Sequence, residues 1–223
     1  MRFIIVFFLW SFSSVVIAQS QRNWLAYFDN VKITDRFNLH NEIQHRNHDV
    51  RFNLEQLIVR NGVGFNLSED NNNLLLGYAF IHNRPEEYCP EDKSLRFNEH
   101  RVYQQFISKQ RFGHLFLTHR YRAEQRFFND DFSLRMRYWL SAYISINKME
   151  IKKGTVFTSF YNEIFMQTQY NYFDRNRIYG GLGYGLTDNI KIEVGVVRQV
   201  TNENRVNHFQ ISLFNYIAFK QHR

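Results

Sequence analysis

The sequence from Leu115 to Ile146 reads LFLTHRYRAEQRFF-NDDF-SLRMRYWLSAYISI. Apolar and aromatic side chains occupy nearly every second position of both halves, and rows of arginine occupy positions between them. A period of two is typical of a β-strand, because successive side chains point to opposite faces. Each half is longer than the roughly five or six residues of most globular strands. Two long strands with one apolar and one charged face predict a membrane β-barrel, in which lipid meets the apolar face and the charged face lines the interior.

The composition favours a chain of paired strands. The 223 residues include 23 Phe and 13 Tyr but only 2 Pro, and proline is rare in sheets because it removes a hydrogen-bond donor. Beyond the N-terminus, no run approaches the roughly 20 apolar residues that a membrane-spanning helix needs. The formal charge of +7 is distributed over alternating positions rather than in a basic run, so we do not expect nucleic acid as a partner.

The first residues follow a different pattern. The basic start Met1-Arg2 precedes an apolar run from Phe3 to Ile17, and small residues lead to Ala18. This order predicts a secretory signal peptide that is cleaved after Ala18; an N-terminal anchor helix is the alternative. We therefore divide the chain into a signal peptide, residues 1–18, and one barrel domain, residues 19–223. Cys89 is the single cysteine, which excludes an intramolecular disulfide and a thiolate metal site.

Nine further segments are alternating or largely apolar, which makes eleven candidate strands with the two above. Bacterial outer-membrane barrels have even strand numbers, so we predict a single antiparallel transmembrane barrel of about 10–12 strands and favour twelve. The eleven segments are residues 24–33, 36–46, 52–67, 74–82, 95–108, 115–128, 133–146, 155–166, 175–186, 190–199 and 206–219.

Short motifs rich in aromatic, arginine and glutamate residues run along the chain. They are WLAYF at 24–28, EIQHR at 42–46, RNGV at 60–63, GYA at 77–79, EHRVYQQ at 99–105, HRYRAEQR at 119–126, RMRY at 135–138, YNE at 161–163 and NRIYGGLGY at 176–184. With these motifs the chain resembles an uncharacterised family of Gram-negative outer-membrane proteins, catalogued only as a domain of unknown function. The resemblance covers nearly the whole mature chain and implies an outer-membrane β-barrel, but no activity. One departure is that Phe219 is followed by four polar residues, whereas such barrels usually end on an aromatic residue that the insertion machinery reads.

The face opposite the apolar one collects arginines and glutamates. Because the planar guanidinium group pairs bidentately with carboxylates, we interpret this face as an interior network that holds neighbouring strands together. The alternative is a narrow pore lining that favours anions, since arginines outnumber glutamates. We expect no catalytic residues, cofactor or metal site, because no motif for them is present. The predicted network comprises Arg60, Glu99, Arg101, Arg120, Arg122, Glu124, Arg126, Arg135, Arg137, Glu163, Arg175 and Arg177.

The expected location is the outer membrane of a Gram-negative bacterium, with outer-membrane lipid and the insertion machinery as partners. Two alternatives are kept open. The first is an outer-membrane lipid-modifying enzyme, for which His119 is a candidate base, although no Gly-x-Ser-x-Gly motif supplies a nucleophile. The second is a soluble, secreted β-barrel or β-sandwich binding protein, in which the apolar face would point inward and the arginines would face water.

Overall fold

The computed structural model describes residues 22–49, 52–68, 71–84, 96–128, 131–169 and 172–218. Within these ranges the chain forms eleven β-strands and no helix, which confirms the all-β prediction. No helix in this part of the chain is long and apolar enough to cross a membrane. The strands are β1 Arg22–Lys32, β2 Phe37–Asn47, β3 Leu54–Asn66, β4 Asn72–Asn83, β5 Phe97–Phe112, β6 Leu115–Phe128, β7 Asp131–Ser145, β8 Val156–Gln167, β9 Phe173–Gly185, β10 Ile190–Val200 and β11 Arg205–Ala218.

The eleven strands form one closed barrel, in which each strand pairs with its neighbours in the sequence and β1 pairs with β11. Consecutive pairs are antiparallel, but the closing pair is parallel, from Arg22 opposite His208 to Lys32 opposite Ala218. Successive hairpins reverse the chain direction, so the first and last of an odd number of strands must run the same way. The eleven described strands lie within the predicted range of about 10–12, but the expected even number was wrong, and the barrel is not wholly antiparallel.

Side chains alternate between the outside and the inside of the barrel, as the period of two predicted. On β6, Tyr121 is 50% exposed on the outside, whereas Arg122 and Glu124 are buried inside. Other large apolar side chains, such as Leu76 and Leu182, are exposed on the outer face. Among the described residues, more than twice as many polar or charged side chains are buried as hydrophobic ones. The barrel thus has the reverse of the polarity of an ordinary protein core.

Two local features differ from the predicted strand boundaries. β5 continues to Phe112 instead of ending near residue 108, and a two-residue turn joins it to β6. Gly113 in this turn has a φ of 58°, which suits glycine because tight hairpin turns need a left-handed backbone. Between β8 and β9 the register shifts at Phe165 and Met166, and this β-bulge makes Asp174 an extra residue in β9.

Interior glycines make room for aromatic rings that lie flat against the barrel wall. A Cβ atom on Gly183 would overlap the ring of Phe157, and one on Gly181 would overlap the ring of Tyr179. The glycine-rich stretch of β9 therefore allows aromatic rings to approach the backbone closely. These rings fill lumen space that charged side chains leave.

Three features discussed in the sequence analysis lie outside the described residues. They are the predicted signal peptide of residues 1–18, the single cysteine Cys89, and the aromatic residue Phe219.

Candidate functional site

Glu124 on β6 is the centre of a charged cluster inside the barrel, and its side chain is fully buried. Its carboxylate accepts hydrogen bonds from Arg135 at 2.6 Å and from Arg137 at 2.5 Å, both on β7. Arg101 on β5 and Arg122 on β6 lie 3.6 Å and 3.5 Å away. Four guanidinium groups from three neighbouring strands therefore share one carboxylate, which fixes those strands relative to each other.

Two other glutamates extend this cluster around the barrel. Glu163 on β8 accepts hydrogen bonds from Arg137 at 2.6 Å and from Arg120 at 2.8 Å. Glu99 on β5 accepts hydrogen bonds from Arg101 at 2.7 Å and from Arg126 at 2.5 Å. Because β6 and β8 are not adjacent in the sheet, the Arg120–Glu163 pair spans part of the lumen. We call the set Glu99, Arg101, Arg122, Glu124, Arg135, Arg137 and Glu163 the charged plug, since each of these side chains is almost completely buried.

Aromatic rings also contact several of the interior arginines. The ring of Phe165 on β8 is 1% exposed, and several guanidinium groups lie over it, including those of Arg137 at 4.5 Å and Arg177 at 4.7 Å. On β1, the ring of Trp24 lies 4.2 Å from the guanidinium group of Arg46 and 4.9 Å from that of Arg177. Cation–π contacts of this kind are stronger where water is excluded. They stabilise an interior with more cations than anions.

All twelve predicted network residues lie in the strands of the barrel and on its interior face, but their burial differs. Nine are buried, whereas the side chains of Arg120, Arg126 and Arg175 are 19%, 16% and 30% exposed. Arg60 pairs with Glu42 on β2, which is not one of the carboxylates of the plug. Arg175 pairs with Asp174 at 3.0 Å, near the end of the barrel where β9 begins. The structure thus gathers seven of the twelve into the plug and places the others around it.

A cavity of about 450 Å³ occupies the lumen beside the plug. Its floor includes the buried residues Glu42, Arg60 and Arg122, and its rim includes the exposed residues Lys32 and Asn189. We call this cavity the cup, because it is open at the rim and ends at the arginine floor. Its cationic lining residues are Lys32, Arg46, Arg60, Lys109, Arg120, Arg122, Arg137 and Arg177, and its acidic lining residues are Glu42, Glu163 and Glu193.

Several interior residues were not predicted from the sequence. Phe165 and Trp24 were not assigned to the interior, although Phe165 follows the assigned residue Glu163 by two positions on the same strand. Asp174 was placed in a loop, yet it accepts a hydrogen bond from Arg135 at 3.2 Å. Its position depends on the β-bulge, for which the sequence carries no distinct signal.

The candidate base of the enzyme alternative lies on the outer face of the barrel. Nδ1 of His119 lies 2.9 Å from the hydroxyl group of Tyr138, on the neighbouring strand. Its hydrogen-bond partner is therefore a phenol rather than a serine or cysteine nucleophile, so this geometry does not form a hydrolase dyad. Within the described ranges, no three His, Cys, Asp or Glu side chains are grouped so as to hold a metal ion.

Most of this chain matches the model of a known protein family. A family model described as Protein of unknown function (DUF2490) matches residues 21–210, which includes ten complete strands and part of β11. The chain belongs to the DUF2490 family. No curated protein matches it, and no solved structure does. Membership of this family therefore assigns no activity to the barrel or to its charged lumen.

Proposed function

We propose that this chain is an outer-membrane β-barrel of a Gram-negative bacterium, preceded by a signal peptide that is cleaved after Ala18. The observation that carries the proposal is the reversed polarity of the barrel, with exposed apolar side chains outside and buried charges inside. Soluble monomers rarely expose continuous apolar surface of more than a few hundred Å². A closed barrel also pairs every strand edge, as a lipid environment requires.

The strand number is unusual for this location, because single-chain bacterial barrels have even numbers of strands. The parallel β1–β11 pair accounts for it, since it closes the ring without a twelfth strand. On the outside of this pair, Leu25 lies opposite Ile211 and Tyr27 lies opposite Leu213, so the apolar band continues across the closure.

We further propose that the lumen is a cationic compartment and not a general pore. Any path through it is narrow and favours anions. The charged plug supports this, because the side chains of Glu99, Arg122 and Glu124 are no more than 1% exposed and leave little room for water. The cup beside it is lined mainly by cations, and rings of arginine or lysine favour anions in pores.

Cell fractionation tests the location. The mature protein is expected in the outer membrane, to require detergent for extraction, and to change its mobility on a gel when it is heated. Recovery of most of the native protein from the soluble periplasmic fraction would contradict the proposal and favour the soluble secreted barrel.

Planar bilayers test the lumen. The unmodified protein is expected to show low or no conductance, with a reversal potential in a salt gradient that indicates anion preference wherever current is measurable. Replacing Arg122 and Arg137 together by glutamine is expected to weaken this preference or to increase the current. A large, cation-selective conductance in the unmodified protein would refute the proposed lumen.

A further inference from the structure

A row of polar side chains crosses the outer face of the barrel around its closing strand pair. We call it the polar row, and its members are direct register partners on five neighbouring strands: Asn215 on β11, Asp29 on β1, Asn41 on β2, Asn61 on β3 and Tyr78 on β4. The residues on both sides of Asp29, Asn41 and Asn215 line the cup, so these three side chains point outward. Asn61 and Tyr78 are exposed.

The row lies at the depth where the proposed location puts hydrocarbon. Asn41 is close to the middle of β2, which has 11 residues, and Asn61 is close to the middle of β3, which has 13. Large apolar side chains surround Asn61 on the same face, with Val63 on β3 and Leu76 on β4 both more than half exposed. A polar group at this depth is unfavourable in lipid unless another polar group pairs with it.

Other amides on the outer face satisfy each other in pairs. Gln104 and Gln125 donate reciprocally at 3.3 Å and 3.0 Å, and Asn162 and Asn176 do so at 3.0 Å and 3.3 Å. The side-chain amide of Asn61 has no such partner among the described residues. Because an amide carries both a donor and an acceptor, an identical amide is a complementary partner for it.

Asp29 adds a charge to the same face. Its two carboxylate oxygens accept hydrogen bonds from Asn41 at 3.3 Å and from Asn215 at 3.2 Å. In the part of the chain that the structure describes, no cation lies within 4.0 Å of this carboxylate. Two neutral amides do not offset a charge in hydrocarbon, so a protein surface suits this face better than lipid tails do.

We propose that this face binds a second copy of the chain, about a two-fold axis that runs along the membrane normal past Asn61. Both copies then keep the same orientation in the membrane, and a residue on the axis meets its own counterpart. Because the strands of a barrel are tilted, the two polar rows cross at one point, where the Asn61 amides pair reciprocally. Val63 and Leu76 of each copy pack around this crossing.

The charges of the row allow an identical partner. Asp29 is two strands away from Asn61, which is about 10 Å along the sheet. The two-fold axis places the carboxylates of the two copies on opposite sides of the crossing, so they do not repel each other at close range. The inference goes beyond the proposed function and rests on its outer-membrane location.

Cross-linking in native outer membranes tests the interface. Packed β-sheets lie about 10 Å apart, so a thiol-specific cross-linker about 10 Å long spans two facing positions. In a Cys89→Ser background, Asn61→Cys is expected to give a cross-linked dimer of this chain. The matched control is Leu182→Cys, which is equally outward on β9 across the barrel and is expected to remain monomeric. Equal cross-linking of the two variants, or a product of Asn61→Cys with a different protein only, would overturn the proposal.

Sedimentation equilibrium of the full-length barrel in mild detergent measures the contribution of the amide. Asn61→Leu is expected to raise the dissociation constant of the dimer about tenfold, because a reciprocal hydrogen-bonded pair is lost. The control combines Asn162→Leu with Asn176→Leu, which removes an amide pair that is satisfied within one chain and is expected to leave the constant unchanged. An unmodified protein that is monomeric, or an unchanged constant in Asn61→Leu, would show that lipid covers the row. If Asn61→Leu does not fold, the cross-linking comparison decides alone.

These measurements separate the two proposals. An outer-membrane protein that neither cross-links through Asn61→Cys nor dimerises in detergent would refute only the interface. Recovery of the unmodified protein from the soluble periplasm would refute the location, and the interface with it.

Discussion

Replacing Glu124 by glutamine tests whether the charged plug holds the barrel together. The substitution keeps the size of the side chain but removes the one carboxylate that Arg101, Arg122, Arg135 and Arg137 share. Removing one partner from a buried ion pair costs about 3–5 kcal/mol, because the remaining charge stays buried without compensation.

The contacts that survive the substitution set the size of the loss. Arg122 has no second carboxylate within 4.0 Å among the described residues and keeps only its hydrogen bonds to Gln105 and its contact with the ring of Tyr103. The other three arginines retain a partner, so we expect a loss in the free energy of unfolding near the lower limit, about 3 kcal/mol. The retained pairs are Arg101–Glu99 at 2.7 Å, Arg135–Asp174 at 3.2 Å and Arg137–Glu163 at 2.6 Å.

Urea unfolding of the barrel folded into liposomes measures this loss. The matched control is Glu150→Gln, which removes an exposed carboxylate paired with Lys152 at 2.6 Å in the β7–β8 loop and is expected to leave unfolding unchanged. Combining Glu124→Gln with Arg122→Gln should recover part of the loss, because the double variant removes the uncompensated charge as well. If Glu124→Gln unfolds at the same urea concentration as the unmodified protein, the plug does not stabilise the barrel and this reasoning is refuted.

Two further predictions concern the faces of the barrel. An arginine at Leu140, on the outer face near the middle of β7, is expected to cost about 2–4 kcal/mol of folding free energy in liposomes. An arginine at Thr118 faces the cup and is expected to be tolerated. Equal folding yields of the two variants would contradict the assigned faces. Gly183→Ala is expected to lower the free energy of unfolding by about 1–3 kcal/mol, because the added Cβ atom overlaps the ring of Phe157. In the control variant Gly180→Ala, the added Cβ atom meets only ordinary contacts. Equal urea midpoints for the two variants would show that the ring can move aside.

The faces of the strands could be predicted from the sequence alone. Side chains on a strand alternate strictly, so Arg122 and Glu124 had to share one face and Tyr121 the other, whatever the partner strands were. The same argument predicted eleven segments, and the described residues form eleven strands. Alternation is a local property of the backbone, which is why a single sequence is enough to read it.

The closure of the barrel depended on tertiary structure. The β1–β11 pair joins Arg22 to His208 across nearly the whole chain, and no local pattern shows that two strands so far apart in the sequence pair with each other. The preference for an even strand number was drawn from other barrels, and it led to the wrong prediction of twelve strands.

The partners of the charged residues also depended on tertiary structure. The alternation of side chains along β6 places Glu124 inside the barrel. Only the register between β6 and β7 sets it opposite Arg135, and a β-bulge brings Asp174 to the same arginine. The division of the lumen into a plug and a cup has the same origin. This division depends on the height along the barrel axis at which long side chains from different strands meet. The stagger of the strands around the closed sheet determines that height.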